Sequence, residues 1–179
     1  MIPTPLHPMP AVSGAGPSTD APQGAIRFRD RVRERAGAQE LLVLRIGDER
    51  FAVALESVDE LVESPRLRHV PGAPPALLGL FTLGAALLPL YSPATVLGAS
   101  PLREQVALVM RGGRSRVALA VDDADDVISV SLADVIDAPR TGHHDDVVLG
   151  VIWRDGELLT LLDARAVVAS YAALSLEGR

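Results

Sequence analysis

From residue 40 onward the apolar positions recur at short intervals. Leu42, Leu44 and Ile46 alternate, Gly47-Asp48 turns the chain, and Phe51, Val53 and Leu55 alternate again, which predicts strand, tight turn and strand. Ser57 to Glu63 places Val58, Leu61 and Val62 on one side of one or two helical turns. Leu67 to Val70 reads as a short extended piece ended by Pro71-Gly72. Leu77–Leu83 and Ala86–Tyr91 predict a second hairpin turning at Gly84-Ala85, followed by a short element from Thr95 to Leu97 that stops at Gly98. Val106–Arg111 and Arg116–Val121 flank Gly112-Gly113, and Ala124–Val130 is either extended or helical. Val147–Arg154 and Glu157–Leu162 flank Asp155-Gly156, a strong hairpin signal. Ala164–Leu174, rich in Ala and short of breakers, predicts a C-terminal helix.

The pattern repeats. Gly47 to Leu55 returns 66 residues later as Gly113 to Val121, and each copy is followed by acids mixed with apolar residues. Leu78-Gly79-Leu80 through Tyr91 returns 71 residues later as Leu149-Gly150-Val151 through Leu162-Asp163. Two copies of one unit in the same order predict two similar small subdomains with a groove between them. Strands this short, with turns this frequent, indicate small barrels.

Composition separates a tail from this folded part. Residues 1–24 are rich in Pro, Ala, Gly and Ser with the single charge Asp20, and are expected to be disordered. In residues 25–38 arginine falls at 27, 29, 31, 33 and 35, which would suit a strand, while Phe28, Val32 and Ala36 share a helical stripe. The helix-forming composition favours a short basic helix. Residues 26–36 hold five arginines against Asp30 and Glu34, whereas residues 37–179 hold 12 arginines against 20 acids. An acidic globular part argues against nucleic acid as the main partner. With 48% hydrophobic and 22% charged residues the chain has the balance of a soluble domain, large enough to need no covalent staples. Cysteine is absent, which removes disulfides, thiolate metal sites and cysteine nucleophiles. Pro71–Leu102 carries no charge, but Pro71, Pro74, Pro75, Pro89 and Pro93 break it too often for a membrane span, and the N-terminus lacks the pattern of a secretory signal.

Few residues suggest chemistry. His143-His144-Asp145-Asp146 is the only cluster with metal-ligand side chains, and adjacent histidines on an extended chain point opposite ways, so a solvated loop is the better reading. Asp122-Asp123 and Asp125-Asp126 form an acidic edge without a calcium-loop glycine or a second catalytic group. Trp153 is expected to pack within its hairpin. No phosphate loop and no nucleophile elbow occur.

Taken together, Gly47 to Phe51 with Val53 and Leu55, Val58-Asp59-Glu60-Leu61, Val70 to Pro74, Leu78-Gly79-Leu80, Pro89, Val117–Asp122 and Gly150–Asp163 resemble the CheW-like domain of bacterial chemosensory signalling. The resemblance covers about residues 40–170. It implies an all-β fold of two pseudo-repeated five-stranded SH3-like barrels with short helices, within a domain over 39–174 and a tail at 175–179. The subdomains are expected near 41–103 and 104–170, with exchange of strands between them left open. It also implies a non-catalytic, cytoplasmic adaptor without cofactor or metal. Such an adaptor couples the cytoplasmic tip of chemoreceptors to the regulatory domain of a CheA-type histidine kinase and meets the membrane only through receptors. The alternative from a different class is a ligand-binding or enzymatic module that uses the groove as a pocket.

On this resemblance the interface residues are Val58, Glu60, Leu61, Gly79, Thr82, Leu83, Gly84 and Val127. An apolar residue beside a carboxylate suits one face of an amphipathic helix, and a glycine admits a close backbone; the other reading makes Val58 a core residue and Glu60 a solvated acid. The family usually carries Asn-Leu-Arg-Gly at the second hairpin tip and an Asp just past the proline. Here Thr82-Leu83-Gly84-Ala85 and Ser92 occupy those places. The resemblance therefore implies a preserved fold with a more apolar, altered partner surface.

Overall fold

The computed structural model describes residues 40–100, 105–111, 116–138 and 146–177, with the backbone alone for Asp125, Leu132 and 172–177. The expected tail 1–24, the basic helix 25–38, the Gly112-Gly113 turn and His143-His144-Asp145 lie outside the described residues.

Among the described residues, eleven strands build two sheets. Sheet one runs β8 (Asp123–Ser129), β1 (Glu40–Ile46), β2 (Glu49–Ala54), β11 (Glu157–Leu162), β10 (Val148–Arg154) and the two-residue β9 (Val135–Ile136). Sheet two runs β3 (Val58–Glu63), β6 (Val106–Met110), β7 (Ala118–Val121), β5 (Ala86–Tyr91) and β4 (Leu77–Leu83). Helix α1 covers Ala94–Leu97 and α2 covers Ala164–Glu177. These are the two SH3-like barrels, one of them extended by β9. Helix α2 runs three residues past Leu174, into the expected tail. The charge-free stretch after Pro71 forms the β4–β5 hairpin and α1, and no described helix is long and apolar enough to cross a membrane.

The repeat is legible bond by bond. The Ser92 N–H donates to the Ala76 carbonyl and the Asp163 N–H to the Val147 carbonyl, both at 2.8 Å. The β4–β5 register shifts between Leu77 and Gly79, and the β10–β11 register shifts at the equivalent Val148 and Gly150. Strand β5 pairs parallel to β7 through Leu90↔Ala118, as β11 pairs parallel to β2 through Leu161↔Ala52. The copies therefore trade strands. The β10–β11 hairpin of the second copy completes the sheet of β1–β2, and the β4–β5 hairpin of the first completes that of β6–β7. Neither sheet is built from one half of the chain alone.

This topology sorts the hydrophobic residues into three cores. Leu41, Val43, Ala52, Ile128, Leu149 and Leu161 fill sheet one's curl, and Phe81, Leu88, Leu90, Ala107, Val109 and Ala118 fill sheet two's. The third core lies between the sheets. There Leu42, Leu44, Phe51 and Val53 meet Leu108, Met110, Leu119 and Val121, with Val167 and Tyr171 of α2 closing one side. Strands β1, β2, β6 and β7 are thus buried on both faces, which is why their sequences read as nearly unbroken apolar runs. Along these strands the expected groove is filled by packed side chains.

One element differs in type from the sequence pattern. Only Leu55–Ser57 forms a helical turn, and Val58–Glu63 is strand β3. A bulge between Val58 and Glu60 adds Asp59 to the strand, so its apolar residues lose strict alternation and imitate a helical stripe. The apolar β6 needs a backbone partner on that side, and β3 supplies it. The equivalent bulge in β8 adds Asp125, and the segment left open between extended and helical is extended.

Candidate functional site

The eight expected interface residues lie on edges of the two sheets. Strands β3 and β4 are the outer members of sheet two, and β8 is an outer member of sheet one. Outer strands leave backbone donors and acceptors unpaired on one side, so they are where a partner can add contacts.

On β3, Val58 is buried in the core between the sheets, whereas Glu60 is exposed and Leu61 is 41% exposed. The bulged Asp59 between them is held by the Arg116 guanidinium, with Arg111 Nε at 3.9 Å. These two arginines follow β6 and precede β7, so the pairing fixes the outer strand to the interior of its sheet. Reading the sequence alone gave no role to Asp59, Arg111 or Arg116. The available signal was an acid at the same place in both copies, Asp59 and Asp125.

On the other edge, Gly79 is buried at φ 156°, and a Cβ there would sit 2.8 Å from the Arg68 carbonyl oxygen. The backbone that Gly79 admits is the chain's own. The Arg68 N–H donates to the Leu80 carbonyl at 2.7 Å, and the Leu80 N–H donates to the Arg68 carbonyl at 2.9 Å. Thr82 and Gly84 are exposed at the β4–β5 tip and Leu83 is half-buried. Across the hairpin from Thr82 stands Leu87, 56% exposed and carrying much of the tip's apolar surface. Val127, on β8, is also exposed.

The second copy exposes the matching pair. Trp153 faces Leu158 across β10 and β11, each 71 residues after its counterpart in Thr82 and Leu87. Trp153 is 64% exposed, so it does not pack within its hairpin as expected. Its face of β10 turns outward, and Ile152 takes the inward place.

Two acids of the repeat are structural. Asp122 is buried and its Oδ2 accepts the Gly47 N–H at 2.6 Å, tying β7 to the first turn. Asp163 is buried and its Oδ1 accepts the N–H groups of Arg165 and Ala166, both at 3.1 Å, capping α2. Ser92 holds the equivalent place before α1, which has no side-chain cap and stops after one turn. The Ser92 carbonyl instead accepts the Tyr171 hydroxyl at 2.6 Å, and Tyr171 stacks on Tyr91 with ring centres 4.8 Å apart. Burial pushes the Tyr171 phenol well above its ordinary range.

The described residues include no group of three or more His, Asp or Glu placed to hold a metal ion. Asp146, the described member of the His-Asp cluster, is exposed. An open depression lies at one end of sheet one, over Val43, Ile128 and Leu159. The site geometry consists of sheet edges and of exposed Leu87, Trp153 and Leu158 at the hairpins, the makings of association.

Residues 40–172 match the family described as the CheW-like domain. The chain is 29% identical over 139 residues to "Chemotaxis protein CheW" of Rhizobium meliloti (strain 1021), across 75% of this chain and 90% of that protein. It is 30% identical over 138 residues to "Probable chemotaxis protein CheW" of Rhizobium etli, across 73% and 88%. Among solved structures, the scaffolding protein TtCheW of Thermoanaerobacter tengcongensis superposes with a TM-score of 0.65 at 15% identity, across 71% of this chain and 85% of that one.

Proposed function

Because this chain belongs to the CheW-like domain family, we propose that it is a non-catalytic cytoplasmic adaptor. It couples chemoreceptor tips to the regulatory domain of a CheA-type histidine kinase in a chemosensory pathway. The observation that carries this reading is the family match over residues 40–172, nearly all of the described fold. The sheet edges support it physically. Leu61, exposed on the outer strand β3, offers an apolar contact that suits the apolar stripe of an amphipathic receptor helix, with the Glu60 carboxylate on the opposite face of the same edge. The Thr82–Leu87 tip, without the arginine usual in the family, offers a more apolar contact and so selects a partner altered to match.

Purified full chain is titrated with a receptor-tip fragment and, separately, with the kinase regulatory domain from the same organism. The proposal expects saturable binding to both. Leu61→Arg is expected to weaken receptor binding by roughly tenfold or more, the loss of one buried leucine contact at about 1.5–3 kcal/mol. Binding to neither, together with a small molecule that raises the melting temperature, would favour the ligand-binding module instead.

A further inference from the structure

The depression at the end of sheet one has an apolar floor and a charged rim. Val43, Ile128 and Leu159 form the floor and belong to that sheet's own core. On the rim, Arg50 Nη1 lies 3.1 Å from Glu157 Oε2, and Arg154 Nε lies 3.5 Å from Asp155 Oδ2. Asp126 completes the rim, and among the described residues it has no cationic partner. Its Oδ1 accepts the Val127 N–H at 2.8 Å. An apolar hollow beneath an unmatched carboxylate fits a side chain with a hydrocarbon stem and a cationic head, as arginine has.

We propose that this hollow seats the chain's own basic segment, residues 26–36, through Arg33 or Arg35. Charge favours that occupant. The segment holds five arginines against two acids, and the described fold that receives it is acidic. Reach favours it as well. The segment runs directly into β1, whose first residue, Glu40, pairs with Ser129 of β8, and Val43 three residues on pairs with Asp126. The hollow therefore begins about 10 Å along β1, whereas the five to seven residue steps from Glu40 back to these arginines span up to about 17–23 Å when extended. Gly37 lies between them and lets the chain double back. A tethered segment also acts at high effective concentration, so a contact too weak for a separate peptide is populated within one chain. The docked segment lies along β8 beside Val127 and so shares an edge with the expected partner surface.

The test uses the full chain. Because the sequence has no cysteine, Glu34→Cys takes a single nitroxide label, and paramagnetic loss of amide NMR intensity maps what lies near it. The proposal expects selective loss at Asp126–Ser129 and Asp155–Glu157, with the β4–β5 tip untouched. The loss should fade in about 1 M salt, where the screening length is about 3 Å. It should also fade in Asp126→Asn, which keeps the acceptor for Val127 and removes the charge. No loss at these residues, or loss centred elsewhere, overturns the proposal. So does loss that persists in Asp126→Asn, or that arises only when labelled and isotope-enriched molecules are mixed, which marks a second copy as the occupant.

Discussion

Tyr171 closes the molecule through one hydroxyl and one ring. It stands 79 residues from Ser92 in sequence, donates to its carbonyl, and stacks on Tyr91 beside it. Tyr171→Phe keeps the stack and strands the carbonyl, so chemical denaturation near pH 8 should show a loss of about 1–2 kcal/mol. The pH dependence gives a second signature. The native phenol holds its proton above the ordinary value, and the unfolded phenol releases it near pH 10. Above that pH the unfolded state binds fewer protons than the native state. Stability then falls as pH rises, by up to about 1.4 kcal/mol per unit from this group. The Phe variant lacks this loss, so the gap between the two proteins should narrow above pH 10. A gap that stays constant to pH 11 would mean that the phenol is not held neutral.

Among the elements, the hairpins β4–β5 and β10–β11 are the most legible and the bulged outer strands β3 and β8 the least. Gly84-Ala85 and Asp155-Gly156 each joined two apolar runs, and both hairpins stand where the sequence put them. Strand β3 reads as helical in sequence because one bulged residue, Asp59, breaks the two-residue period and the strand's acids mimic a solvated helix face. Only the demand of β6 for a backbone partner, invisible in a local window, makes it a strand. The outward place of Trp153 is hidden in the sequence for a similar reason. The sequence marks an aromatic residue in a hairpin, but which face of β10 is inward depends on the bulge at Val148 and Gly150. For the site, the resemblance pointed to β3 and the β4–β5 tip. The residues themselves leave Val58 open between interface and core, and the core reading holds, whereas nothing in the sequence reveals that Gly79 is fixed by the chain's own residues 67–68. That last point is testable. Gly79→Ala drives a Cβ against the Arg68 carbonyl at a strained φ, and is expected to cost about 1–3 kcal/mol of stability in the free protein. An unchanged denaturation midpoint would show that the segment at 67–68 moves freely.

Across the whole molecule, the exchange of hairpins makes two sequence copies into one folding unit. A chain cut between residues 103 and 104 leaves β1, β2, β3, β4 and β5 in one piece, without the strands that complete either sheet. Each half is therefore expected to lack cooperative unfolding when purified alone, and to regain sheet circular dichroism when the two are mixed. Either half folding cooperatively by itself would contradict the topology. The exchange also bears on the proposed function, because it joins the edges β3, β4 and β8 through a packed middle and holds the proposed docking surfaces in fixed relation. An adaptor needs that rigidity to hold two partners at once. The most direct test is co-sedimentation of vesicle-bound receptor tips with kinase regulatory domain in the presence and absence of the full chain. The kinase domain is expected to pellet with receptors only when the chain is added, and Leu61→Arg is expected to reduce this sharply without unfolding the protein. Receptor and kinase each binding the chain but never together, because one displaces the other, would contradict that expectation.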